Sequence, residues 1–166
     1  MSTSNYEKVK QFNQSFGVPI PDAPRPHLFD EEPKTVQLKL DLILEEVQEL
    51  RDACEQKDPV EVLDALADIL YVVYGAGISF GFNMDEAFDR VHRSNMSKLC
   101  DTEDQARATV EVYNKNDQKY DSPVYRVDES TGKYVIYNKS TGKILKNKDY
   151  EQVKLKDLVF PKKVIS

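Results

Sequence analysis

Residues 44–75 read LEEVQELRDACEQKDPVEVLDALADILYVVYG, two helical stretches joined at Lys57-Asp58-Pro59. Asp58 suits an N-cap and Pro59 a first helical position, so the chain reverses there and resumes as a second helix. Each helical residue turns the side-chain direction by roughly 100°. On that count Glu45, Glu46 and Glu49 span about 100° of the first helix, and Glu61, Asp64, Asp68, Tyr71 and Gly75 fall within about 80° of the second. With the reversal near residue 57, Glu46 comes level with Asp68, and Glu49 with Asp64 or Ala65. The two acidic stripes are then placed to face each other.

Facing carboxylates repel, and burying charge without a partner is costly. An ordinary solvated helix face accounts for EEVQEL taken alone. It accounts less well for Asp64 and Asp68, which sit among apolar residues in VLDALADILYVVYG, in a residue type that forms helix less readily than Glu. A divalent cation relieves both penalties. Oxygen donors without His or Cys point to Mg²⁺, with Mn²⁺ as the other option, and not to zinc. Mg²⁺ commonly shares substrate phosphates, so the expected substrate is a phosphate ester or anhydride. The Glu-x-x-His pattern of di-iron bundles is not met, because His27 and His92 lie outside the acidic hairpin.

Outward from this hairpin the pattern stays helical. Residues 4–16 predict a helix with Ser4 as N-cap, Val9, Phe12 and Phe16 on one face, and Gly17 as its stop. Five prolines between residues 17 and 33 predict an extended segment over the helices. The second helix runs from Lys34 to about Gln56, with Leu38, Leu42, Leu44, Val47 and Leu50 as apolar positions. The third runs to about Phe80, before Gly81. Asn83 caps a fourth, MDEAFDRVHRSNMSKL, and DTEDQARATVEVYNKN predicts a polar-faced fifth. Short links make the second, third and fourth antiparallel neighbours. PVYRV, KYVIYN and KILK then read as short β segments separated by two STG turns, and the last residues, KKVIS, as frayed. The expected fold is mainly α: an antiparallel bundle of four to five helices over residues 1–120, with a small β-hairpin appendage over residues 121–166.

The chain has 166 residues, 40% of them hydrophobic, a net charge of −6 and a pI near 5. Duplex nucleic acid is not an expected partner, since phosphate contacts need clustered Lys and Arg. Cys54 and Cys100 form no CxxC pair, which suits a reducing compartment. MSTSNYEKVKQF lacks the apolar core of a signal peptide. The run ILYVVYGAGISFGF is short and glycine-broken for a membrane span. A cytoplasmic protein with no membrane contact is the expectation.

Four motifs in order carry a resemblance: FGVPIPDAP, LEEVQEL, DALADILYVVYG and VHRSNMSKL. They resemble the all-α NTP pyrophosphohydrolases, the MazG-like and phosphoribosyl-ATP pyrophosphohydrolase-like proteins, and most of all the stand-alone MazG-like branch. The similarity covers roughly residues 8–100, and GKILKNKDY resembles a C-terminal lysine segment of that branch. It implies a helical homodimer or homotetramer and Mg²⁺-dependent cleavage of a nucleoside triphosphate to the monophosphate and pyrophosphate. By motif, Glu46 and Glu49 resemble the metal ligands of the first helix, Glu45 the base that activates water, and Asp68 the Asp of an ExxD element. This chain has Ala65 where the wider superfamily has Glu. Either Asp64 replaces that ligand, or the element is Glu61-x-x-Asp64; Asp64 takes part in both registers. Asn95 and Lys98 resemble residues that touch metal-bound phosphate, and Lys146 is a further match in the tail.

The chemistry expected from this set is in-line attack of a metal-activated water on the α-phosphorus. Glu45 takes the proton and Lys98 steadies the departing pyrophosphate. Phe12, Phe16 and Tyr71 are candidates for stacking on a nucleobase, against a core role for the same rings. Two other functions fit less of the pattern. A phosphoribosyl-ATP pyrophosphohydrolase would carry Tyr-His where this chain has Tyr71-Val72. A nucleotide-binding helical oligomer without turnover would have no need of five intact acids.

Overall fold

The computed structural model describes residues 3–116 and 119–161. Among them the helices are α1 (Asn5–Ser15), α2 (Leu28–Glu31), α3 (Pro33–Gln56), α4 (Pro59–Ser79), α5 (Met84–Met96), α6 (Glu103–Asn116) and α7 (Lys156–Val159), and the strands are β1 (Pro123–Val127) and β2 (Tyr134–Asn138). The fold is mainly helical, with one two-stranded antiparallel hairpin pairing Pro123 with Asn138 through Val127 with Tyr134. The KILK segment contributes a single bridge, Tyr137 to Ile144, and no strand. KKVIS lies outside the described residues.

Local chemistry sets the helix boundaries. Ser4 Oγ accepts from the Glu7 N–H at 3.2 Å, and Asn83 Oδ1 from the Glu86 N–H at 3.1 Å. Asp58 Oδ1 accepts from Val60 and Glu61 at 2.9 and 3.3 Å, covering amides that the helix cannot satisfy itself. Lys57 takes the left-handed conformation (φ 59°) that closes α3, and the Asp58 N–H bonds back to the Ala53 carbonyl at 3.1 Å. The chain therefore reverses within two residues, and α3 lies against α4. Their buried positions include Ala53 and Ala65, small side chains that let the two backbones approach.

The chain divides into two compact units. The first holds residues up to 88 together with 155 onward, and the second holds residues 89–154. In the first unit, α1 packs on α4 where Val9 is buried beside Gly75. The proline segment is not wholly extended. It contains α2, anchored by fully buried Leu28 and by Phe29 against Phe80, with ring centroids 5.1 Å apart. Arg25 ties this turn by pairing with Glu31 at 3.0 Å and Glu32 at 2.7 Å. In the second unit, Cys100, Ala106, Ile136 and Leu145 form the core, with Val110, Tyr113 and Tyr134 packed around it. The Cys100 thiol is pushed above its usual range by burial, which makes it an inert core residue.

Gly81 illustrates how the loop and α4 are locked together. It has φ +68°, and a Cβ there would strike the Ala23 carbonyl, while the Arg25 N–H donates to the Phe80 carbonyl at 2.8 Å. Gly81→Ala should cost about 2–4 kcal/mol, combining left-handed strain with a backbone collision. Gly142→Ala, at φ +70° but with open space around it, should cost only about 1–2 kcal/mol. Chemical denaturation of both variants tests this; equal losses would show that the Ala23 contact is not limiting.

Candidate metal and nucleotide site

The acidic side chains lie on the two helices that flank the α3–α4 reversal. Glu46 and Asp68 are half-buried, while Glu45, Glu49, Glu61 and Asp64 are exposed. Glu46 is the strained member. Its Oε2 is buried with no hydrogen-bond partner. Its pKa is raised, first by burial and then by the charges of Glu49, Asp68, Glu45 and Asp64. Carboxylates from both helices thus act on one oxygen, the condition that sequence spacing predicted for Asp64 and Asp68. Among the described residues no three Asp, Glu, His or Cys side chains close on one point to form a finished cage. An orphaned carboxylate oxygen ringed by further carboxylates fits a hard divalent cation.

Aromatic residues border the acids. Phe12 and Phe16 stack with centroids 4.3 Å apart, and Phe12 meets Tyr71 edge-on at 5.7 Å. All three rings are exposed, Phe16 to 70%, so they form an apolar patch at the surface. Tyr71 stands one helical turn beyond Asp68, which brings this surface beside the acidic stripe. Between the two phenylalanines Asn13 is buried, 4% exposed, and its Nδ2 has no partner. It also lines an open groove of about 480 Å³ with Lys10, Gln14, Gly17, Val18, Ile20 and Asp22. The sequence reading passed over Asn13. Its signal was an amide in the middle of the apolar face of Val9, Phe12 and Phe16.

Asn95, Lys98 and Lys146 belong to the second unit. Lys98 Nζ donates to Asn95 Oδ1 at 2.7 Å, so the two side chains form a pair at the end of α5. Lys146 is held at its backbone by the Tyr113 hydroxyl, which accepts from its N–H at 3.1 Å and donates to its carbonyl at 3.0 Å. Its ammonium lies over the Tyr150 ring, 4.4 Å from the centroid. The structure therefore gathers the predicted site residues into two sets: acids and aromatic rings in the first unit, amide and lysines in the second.

The raised pKa of Glu46 has a stability consequence. For a carboxyl whose folded-state pKa exceeds its unfolded value, the associated stability is present in acid and is lost as pH rises through the folded value. In metal-free buffer at neutral pH, Glu46→Gln should therefore melt at a higher temperature than the parent, and the difference should fade as pH falls toward 4. Mg²⁺ should raise the parent's melting temperature by mass action and raise the variant's less. A lower metal-free melting temperature for Glu46→Gln at neutral pH would contradict this description of the cluster.

The family profile described as phosphoribosyl-ATP pyrophosphohydrolase matches residues 9–95, the stretch from α1 to the Asn95 turn that contains the acidic helix pair. An uncharacterized protein, L479, of Acanthamoeba polyphaga mimivirus is 33% identical, over 94% of this chain and 96% of its own length. The matched stretch, the helical fold and the paired acidic helices place this chain in the phosphoribosyl-ATP pyrophosphohydrolase family, a MazG-like all-α group of nucleotide pyrophosphohydrolases.

Proposed function

We propose that this protein is a Mg²⁺-dependent pyrophosphohydrolase that cleaves an NTP or dNTP to the monophosphate and pyrophosphate. The observation that carries the reading is Glu46, with an unpartnered buried oxygen under the charge of four neighbouring carboxylates from two helices. Glu46, Glu49, Asp64 and Asp68 are assigned as the metal-holding set. Asp64 is preferred over Glu61 because its charge acts on Glu46. A bound Mg²⁺, or Mn²⁺ in its place, would neutralise this cluster and make water more acidic.

The remaining roles fall to the protein's own groups. Glu45 is exposed beside Glu46 and, if it is not spent as a ligand, accepts the proton of the attacking water. The Phe12, Phe16 and Tyr71 rings offer a stacking surface for the base. Asn95 and Lys98 bind the phosphates, with the lysine as a point charge against negative charge on the leaving pyrophosphate. Lys146 adds a second cation. A nucleotide substrate reached by these groups needs no basic patch of the kind duplex nucleic acid requires.

A second copy of the chain is the proposed partner of the helix pair. α4 is long and apolar enough to cross a membrane by length and composition alone, yet only 28% of its apolar window is buried within the chain. Leu63 and Leu70 on α4 are 70% and 55% exposed, and Leu38, Leu44 and Val47 on α3 are exposed too. Acidic residues along α4 make lipid a poor cover, whereas an identical apolar helix pair suits a symmetric dimer or tetramer.

Phosphoribosyl-ATP is the second substrate to weigh, since the matching family profile carries that name. Val72 after Tyr71 speaks against it.

Three experiments test these readings. In a panel of NTPs, dNTPs and phosphoribosyl-ATP with Mg²⁺, pyrophosphate should appear from at least one NTP or dNTP. Release from phosphoribosyl-ATP alone would favour the second substrate, and release from none a binding protein. Glu45→Gln should lower kcat by about 10²-fold or more while Mg²⁺ binding persists; unchanged turnover would remove Glu45 as the base. In sedimentation, the parent should run as an oligomer and a Leu63→Lys, Leu70→Lys double variant as a smaller species. A monomeric parent would contradict the assembly.

A further inference from the structure

Within the first unit, α1 and α4 flank a groove of about 200 Å³. α4 contributes Ala67, Leu70, Tyr71 and Tyr74, which recur at spacings of three and four and so share one helix face. α1 contributes Asn5, Lys8 and the buried Val9. The groove adjoins the acids. Ala67 follows Asp64 by three residues and Tyr71 follows Asp68 by three, all within α4, and such neighbours stand about 5–6 Å apart at Cβ. Tyr71 also meets Phe12 edge-on at 5.7 Å, so one ring is shared by the groove and the Phe12–Phe16 patch.

The groove is smaller than the roughly 300–1,000 Å³ of pockets that take a whole ligand. It suits one flat ring system, whose faces the tyrosine rings and aliphatic groups can cover. The polar groups on its α1 side ask for one kind of partner. Lys8 Nζ donates to Asn5 Oδ1 at 3.3 Å. A lysine has only protons to offer, so the Asn5 oxygen turns to it, and the amide protons are left for another acceptor along with two ammonium protons. A phosphate would accept them but leave Val9, Ala67 and Leu70 without an apolar partner. A ring bearing an oxo group satisfies both.

We propose that this groove seats the nucleobase, and that Lys8 and Asn5 select bases with an oxo group over those with an amino group: guanine over adenine, and uracil or thymine over cytosine. An oxo oxygen accepts from this rim, as does N7 beside it in guanine, whereas an exocyclic amino group brings protons to a rim that already has them. A hydrogen-bond difference of this kind discriminates more sharply than shape alone. The proposal rests on the pyrophosphohydrolase reading and adds to it the class of base.

The test is calorimetric titration, with Mg²⁺ present, of α,β-methylene nucleotide analogues into the full chain; these cannot be cut between the α- and β-phosphorus. The parent should bind the GTP analogue about tenfold or more tightly than the ATP analogue, and the UTP analogue above the CTP analogue, the scale of one hydrogen bond to a charged donor. Lys8→Met keeps the apolar stem and should cut both preferences below about threefold by weakening the oxo members alone. Lys8→Glu puts acceptors on the rim and should reverse them. A general loss of stability would lower every affinity alike and leave the ratios as they were. Equal affinities or no binding in the parent, or a preference that survives both substitutions, would overturn the assignment. So would a Lys8→Met chain of smaller size in sedimentation, which would give the groove to a second copy. Failure of the hydrolase reading is a separate result: no pyrophosphate from any nucleotide, while the analogue ratios still decide the groove.

Discussion

The first unit is organised around a charge that the protein does not neutralise. Glu46 stands where α3 packs on α4, one oxygen shut away from water and from every donor, and the nearest strong charges are four more carboxylates. Packing alone would favour a neutral side chain there, since an unpaired buried charge is among the more costly features of a fold. Features of this kind concentrate at functional sites, where a ligand supplies the missing partner. The neighbouring features fall into place around it. A two-residue reversal puts the acidic stripes in register, small residues at Ala53 and Ala65 bring the helices close, and the Phe12–Phe16–Tyr71 surface borders the acids.

Much of this was legible from local chemistry. Ser4, Asp58 and Asn83 are capping residues that do cap, and Lys57 and Asp58 turn the chain where their spacing to Pro59 says they should. From that turn and helical periodicity Glu46 is expected level with Asp68, and the charges of Asp68 and Asp64 both bear on the Glu46 carboxyl. Features that depend on contacts distant in sequence were not legible. α2 is four residues long and exists because Leu28 is buried and Phe29 reaches Phe80; prolines around it suggested only an extended chain. KILK has strand-like residues, but the chain beyond Ile144 turns away to bind Leu99 after α5 and Thr109 on α6 through Asn147 and Lys148, so a single bridge forms. Asn13 gains meaning only once burial and partners are known.

The two units differ in the side chains they carry. The first concentrates acids and exposed apolar helix faces; the second is a small core of Cys100, Ala106, Ile136 and Leu145 that carries the amide and lysine groups. Leu63 and Leu70 remain solvent-exposed while Ala65 between them is buried. α4 therefore has one face for α3 and another that the single chain leaves uncovered. Acid on one helix face and hydrocarbon on another suit the two tasks proposed for this helix pair, cation binding and assembly.

Under the proposed function, carboxylates from α3 and α4 share a cation. Crystals grown with Mn²⁺ and measured at the manganese edge test it most directly, because the metal is located independently of any assignment of residues. If the carboxylates do so, anomalous density lies between the two helices, with oxygens of Glu46, Glu49, Asp64 and Asp68 within about 2.3 Å of it. Manganese found only elsewhere, with those carboxylates pointing apart into solvent, would contradict it.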